Sequence, residues 1–192
     1  MNKRFLREQS GAVVIEAAFL FVLVVILIQL LVEFSFRKQQ QTALESVNFV
    51  LAKVVRERNA LYDASPLLVF KQSDLLTQND VDRLADFAQV FLKNSPSDFT
   101  LRVEATVFTD VASGAVAKST STFSAGNACT IPNLTPLSGY GNLSAWTNNK
   151  RWMPIYRVSL CQTRMSSPIE KIINRTLGLS EVITASNIVL SR

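Results

Sequence analysis

From Ala12 to Phe36 the chain is almost uninterruptedly apolar, AVVIEAAFLFVLVVILIQLLVEFSF, with only Glu16, Gln29, Glu33 and Ser35 breaking the run and neither Gly nor Pro within it. About 20 helical residues cross the hydrocarbon core of a bilayer, so Ala12 to Val32 suffices for one membrane helix. A secretory signal peptide has a shorter apolar region, about 7 to 15 residues, closed by a small-residue cleavage site. Here the run passes into Glu33-Phe34-Ser35-Phe36-Arg37-Lys38, which offers no such site, so the helix is expected to stay attached. The next Pro is Pro66, and Leu44, Val47, Leu51, Val54 and Val55 keep helical spacing, with Gln40, Glu45, Arg56 and Glu57 largely elsewhere. One helix from Ala12 to about Arg58 is predicted. Its second stripe is either a core face or a face for packing against other subunits.

Ser65-Pro66 interrupts that pattern, and a second helix is predicted from Asp80, as N-cap, to Lys93, with Val81, Leu84, Ala88, Phe91 and Leu92 on one side and Asn94-Ser95-Pro96 marking its end. The period then changes to two. Phe99, Leu101, Val103, Ala105 and Val107 alternate with Thr100, Arg102, Glu104 and Thr106, which predicts a strand. Ala112-Ser113-Gly114 turns the chain into a second strand, Ala115 to Phe123, and so an antiparallel hairpin. Ser124 to Lys150, rich in Gly, Ser, Asn, Thr and Pro, reads as a long surface loop. A strand over Ile155 to Cys161, a short helix over Ile169 to Leu177 ended by Gly178, and a last strand over Glu181 to Leu190 complete the series. The expected fold class is α+β: a long N-terminal transmembrane helix continuing into an extracytoplasmic domain with an antiparallel sheet of about four strands. Trp146 and Trp152 are placed to pack beneath the loop, the alternative being exposure to a partner.

Composition narrows the function classes. Lys3, Arg4 and Arg7 against Glu8 put two of the five net positive charges in Met1 to Gly11. The rest is mildly basic without a Lys/Arg run or a basic stripe with interleaved aromatics, so no nucleic-acid role is expected. Charge ahead of the apolar run predicts that Met1 to Gly11 faces the cytoplasm and the long C-terminal part lies outside. There is no histidine, and Cys129 and Cys161 do not have zinc-like spacing, so neither a metal nor another cofactor is expected. In an extracytoplasmic domain the two cysteines form one disulfide, closing a loop worth about 3 to 4 kcal/mol in the chain-entropy model. Two buried thiols are the alternative. The motifs GxSxG and SxxK and glycine-rich phosphate loops are all absent, so no enzyme is expected. The Asn-x-Ser/Thr triplets at Asn133, Asn142 and Asn174 are read as chance matches.

A carboxylate near the start of a membrane helix needs an account. An ionised acid within the bilayer costs about 2.5 to 3.5 kcal/mol, less near the interface, where Glu16 would snorkel or protonate. Its surroundings suggest more. A short basic leader, MNKRFLREQSG, ending in Gly11, then Ala12, Val13, Val14, Ile15, Glu16 and a long apolar helix, resembles a type IV prepilin cleavage region, and most of all the tight adherence (Tad) pseudopilins of the TadE/TadF group, TadF in particular. The resemblance implies cleavage by a prepilin peptidase between Gly11 and Ala12, leaving the helix on the mature protein with Glu16 at its fifth position. It implies residues 1–11 as leader, 12–36 as transmembrane helix and 37–192 as a pilin-like domain. A carboxylate one turn from the new Ala12 amine, or on a neighbouring subunit, neutralises it in a low-dielectric setting. Ala17 departs from the major Flp pilin pattern, where an aromatic follows the glutamate, and the chain's length also argues for a minor component.

The function implied is that of a minor pilin or pseudopilin in assembly of a Tad (Flp) type IV pilus, for adherence to surfaces and biofilm formation. Its location would be the bacterial inner membrane, single-pass, with a periplasmic domain, and possible incorporation into the pilus. Its partners would be other pilins and pseudopilins, the prepilin peptidase and the inner-membrane assembly platform. The alternative is a signal-anchored extracytoplasmic binding module unrelated to pili, in which Gly11 and Glu16 have no special role.

Overall fold

A computed structural model describes residues 5–62, 76–92, 98–109, 111–132, 134–147, 150, 152–163, 171, 175 and 181–190, with the side chains of the first helix described from Val13 to Glu57. The chain divides into two compact units, Met1–Gln40 and Gln41–Arg192. The first helix, α1 (Phe5–Tyr62), is 58 residues long and passes through the boundary between them. It starts before Ala12, where the sequence pattern begins it. Phe5 to Ser10 hold no Pro, and a single interior glycine at Gly11 costs only about 1 kcal/mol relative to alanine.

Within the first unit every side chain from Val13 to Val32 is exposed. α1 is accordingly the one helix, among the described residues, long and apolar enough to cross a membrane. From Gln41 onward the same helix has a sided character. Leu44, Val47, Leu51, Ala52 and Val55 are buried, whereas Val54, expected among them, is 37% exposed. Its place on the inner side is taken by Asn48, fully buried, with neither side-chain nitrogen nor oxygen meeting a hydrogen-bonding partner among the described residues.

The second helix, α2 (Gln78–Leu92), corrects the expected cap. Asp80 is not the N-cap but the third residue of the helix. Its Oδ2 accepts from the backbone N–H of Thr77, 2.9 Å away, and from the Thr77 hydroxyl, while its own N–H points back to Thr77 Oγ1 at 3.4 Å. This reciprocal pairing is a capping box with Thr77 as cap. Val81, Leu84 and Ala88 are buried and Leu92 packs beside them. Phe91, expected on that side, is 53% exposed and stacks on Phe87, ring centroids 4.6 Å apart. Spacing explains the error: three apolar residues in a row, Val90 to Leu92, cover nearly a full turn, and only one can point inward.

Four antiparallel strands, β1 (Phe99–Phe108), β2 (Ala117–Gly126), β3 (Ile155–Thr163) and β4 (Val182–Leu190), form one sheet in the order β2-β1-β3-β4. Each strand lies within two or three residues of its expected place, and the α+β fold is the one the periodicity implied. The turn after β1 runs through Ala112 and Ser113; the register with β2 shifts at Val107/Phe108, and Phe108 is buried on the same face as Thr106 and Ile155. On one face Phe99, Leu101, Val103 and Ala105 of β1 lie opposite or near Leu160, Val158 and Tyr156 of β3, and with the inner sides of α1 and α2 they make the main core.

The other face is not solvent-facing, as the polar alternation of β1 suggests. Phe108, Leu137 and Ile155 form a second cluster there, joined by Tyr140, Trp152, Ile188 and Leu190. The segment expected as a surface loop therefore forms a layer over the sheet, organised around a 3-10 helix, Leu137–Leu143. The short helix expected over Ile169 to Leu177, the break at Ser65-Pro66, the end signal Asn94-Ser95-Pro96, and Asn133 and Asn174 lie outside the described residues, apart from Lys171 and Arg175, which are helical.

Candidate functional site

Two regions carry the residues singled out by sequence. In the first unit, Gly11 and Ala12 lie within α1, and Glu16 stands one helical turn beyond Ala12 with its side chain exposed among the exposed Val13, Val14, Ile15 and Phe19. Near the other end of the apolar run, Lys38 lies 5.9 Å from the Phe34 ring centroid.

In the second unit, Cys129 and Cys161 are disulfide-bonded, with Cα atoms 6.2 Å apart, and no free cysteine exists. Cys161 is fully buried on the loop-covered face of β3, opposite Thr100 of β1. Thr100 Oγ1 accepts the backbone N–H of Cys129 at 3.1 Å, and the Thr163 hydroxyl donates to the Ala128 carbonyl at 2.7 Å. The bond thus fixes one end of the covering layer.

Its middle is held by a residue the sequence did not mark. Arg157, with 3% of its side chain exposed, donates to Glu104 Oε2 at 3.0 Å and to the Thr135 carbonyl at 2.6 Å, and its guanidinium lies 5.7 Å from the Tyr140 ring centroid. Arg102 pairs with the other oxygen of Glu104. The planar fork serves the carboxylate from one terminal nitrogen and the carbonyl from the other, at a fixed separation. The signal was present as Glu104 and Arg157 at like phases of two strands, but it becomes legible only once β1 and β3 are known to be neighbours in that register.

The far end is held by the tryptophans. Trp152 is half-buried and its Nε1 donates to the Val111 carbonyl at 2.8 Å; Trp146 stands edge-on to it at 5.3 Å and is 37% exposed. Trp152 packs beneath the layer as expected, and Trp146 lies at its surface. Ser144 Oγ donates to the Met153 carbonyl at 2.7 Å. At Gly141 a Cβ would stand 2.6 Å from the Ala115 carbonyl oxygen, so only glycine lets the layer approach the β1–β2 turn this closely.

Among the described residues no group of His, Cys, Asp and Glu is assembled to hold a metal. An open cleft of about 490 Å³ lies beside β4, lined by Thr42, Glu45, Ser46 and Phe49 of α1 and by Thr184 to Asn187. The second unit is a sheet strapped by its covering layer and closed by the Cys129–Cys161 disulfide.

No curated protein and no solved structure gave a match to this chain. A family model does match, TadF, described as "Putative tight adherence pilin protein F", and it covers residues 4–192. The chain belongs to the TadF family of tight adherence pilin proteins.

Proposed function

We propose that this protein is a minor pilin or pseudopilin that takes part in assembly of a Tad (Flp) type IV pilus, through which cells adhere to surfaces and form biofilm. Membership of the TadF family supports a Tad pilus component with a structural role. The observation that carries the finer reading is the first unit of α1: exposed apolar side chains from Val13 to Val32, with a carboxylate at Glu16, five residues after Gly11. An exposed apolar helix needs a non-aqueous partner, either lipid or other apolar helices.

In this reading residues 1–11 are a leader facing the cytoplasm, and prepilin peptidase cuts between Gly11 and Ala12. Residues 12–36 cross the bacterial inner membrane once, and 37–192 fold in the periplasm. There the oxidising compartment permits the Cys129–Cys161 bond. The Ala12 amine released by cleavage is neutralised by Glu16 on its own or a neighbouring helix, so that neither charge enters an apolar bundle alone. Other pilins and pseudopilins, the peptidase and the inner-membrane assembly platform are the partners.

The test is intact-mass analysis of the protein purified from membranes of cells that possess the peptidase. A chain beginning at Ala12 is the expected result. An intact chain from Met1 would sink the processing step and leave a tethered extracytoplasmic binding module.

A further inference from the structure

We infer that the globular unit associates sideways with a second copy of itself, the β4 edge of one copy pairing with the β2 edge of the next, each edge accompanied by its own helix. The inference goes beyond the pilus assignment, and its test does not depend on leader processing.

Strand direction makes the pairing geometrically natural. All three neighbour pairs in β2-β1-β3-β4 are antiparallel, so β2 and β4, at opposite edges of a four-stranded sheet, run in opposite directions. A copy moved sideways without rotation therefore sets its β2 antiparallel to the first copy's β4, and the sheet continues in the same pattern. A two-fold pairing of β4 with β4 would instead reverse the direction of α1 from one copy to the next.

Among the described residues the β4 edge is open. Val182–Leu190 reads VITASNIVL, with no charge, no Pro and no Gly, and its pairing with β3 has no register shift. From Ile183 to Leu190 the side away from β3 meets no backbone hydrogen-bonding partner among the described residues. Natural sheets usually guard such an edge with a lysine, a proline or a bulge. β2 is rich in Ser and Thr, with Lys118 as its one charge.

The helix beside β2 carries an acidic row, and α1, beside β4, carries Lys53 and Arg56 beyond Glu45. Gln78, Asp82 and Asp86 follow at i, i+4 and i+8, hence along one side of α2. Gln78 Nε2 bonds both the Ser124 carbonyl of β2 at 2.9 Å and Asp82 Oδ1 at 2.8 Å, which places this acidic row along the β2 edge. Glu45, Phe49 and Lys53 follow the same spacing on α1, and Glu45 and Phe49 line the open cleft beside β4. Lys53 Nζ lies 4.8 Å from the Phe49 ring centroid, Arg56 is exposed nearby in sequence, and Phe49 is 54% exposed. Sideways docking brings Asp82 and Asp86 towards Lys53 and Arg56, and it covers Phe49. Such a head-to-tail contact leaves a free edge at each end, so it propagates until a ring closes or a filament forms.

The test uses the full-length chain in lipid nanodiscs or detergent. Both native cysteines are in the disulfide, so an introduced cysteine is the sole thiol. Thr122 and Thr184 are exposed on the same face of the sheet, near the two edges. T122C and T184C are expected not to cross-link alone with a short bismaleimide, to give a dimer when mixed, and to give a ladder of multimers when combined in one chain. Adding D82K and D86K to the T122C chain should lower the dimer yield about tenfold, and a T184C partner carrying K53E and R56E should restore it. No dimer in the mixture would overturn the proposal. So would T184C alone cross-linking as well as the mixture, which would indicate β4–β4 pairing, or a charge reversal without effect.

Discussion

Arg157 and Asn48 are both buried, and they have opposite consequences for stability. Arg157 is matched on all sides, by Glu104, by the Thr135 carbonyl and by the Tyr140 ring. Removing it strands a carboxylate that is only 12% exposed and a carbonyl that loses its donor. Arg157→Met should therefore cost about 3 kcal/mol in urea unfolding, reduced because Arg102 still reaches Glu104. A double change with Glu104→Gln should cost less than the sum of the two single changes, and additive losses would show that the pair is not coupled. Asn48 is the reverse case. It is fully buried with its amide unmatched among the described residues, so each polar atom bears its desolvation cost. Asn48→Leu, which has as many side-chain heavy atoms, should raise stability by about 1 to 2 kcal/mol. A fall in the unfolding midpoint would mean that the site holds an ordered water or that the amide is needed there. Gly141→Ala should destabilise by about 1 to 3 kcal/mol, because the added methyl meets the Ala115 carbonyl oxygen at 2.6 Å, backbone that cannot swing aside as a side chain can.

At the scale of elements, the covering segment between β2 and β3 is held at three places: the disulfide at Cys129, Arg157 at Thr135, and Trp152 at Val111. These anchors are chemically different, so loss of one should loosen one end without removing the layer. Replacing both cysteines by alanine should lower stability by about 3 to 4 kcal/mol, the loop-closure value for a separation of 32 residues. The far-end tryptophan fluorescence should remain native-like in the absence of denaturant. A shift of that emission in the unstressed protein would show that the whole layer depends on the disulfide. How much of this was legible follows from what each element packs against. β1, β3 and β4 have one face against helices, and their period of two is written in Phe99, Leu101, Val103 and Ala105. The second face was hidden, since Arg102, Glu104 and Thr106 read as solvent positions, and the burial of Thr106 and partial burial of the other two depend on a segment with no periodicity of its own. The start of α2 failed for a local reason: both Thr77 and Asp80 are good caps, and the capping box lets the earlier residue win. The disulfide was open to two readings in the sequence, because a spacing of 32 says nothing about whether Cα atoms come within reach.

For the whole molecule, the question is what the exposed apolar half of α1 asks of its surroundings. Lipid satisfies Val13 to Val32 equally well whether or not Glu16 is present, and insertion should be easier without it, since a carboxylate near the interface adds a cost rather than a benefit. Association is different. If cleavage frees an amine at Ala12, a bundle of such helices holds a positive charge in each helix start, and an unpaired charge in a low-dielectric bundle is strongly unfavourable. Glu16→Ala should then leave membrane insertion and processing at Gly11 unchanged, while recovery of other pilus components with the protein from detergent extracts falls several-fold. Glu16→Asp, which keeps the charge on a shorter stem, should fall between. Equal recovery from all three proteins would show that Glu16 is an interfacial residue of a simple anchor, and that whatever joins this chain to its partners lies in the strapped sheet rather than in the helix.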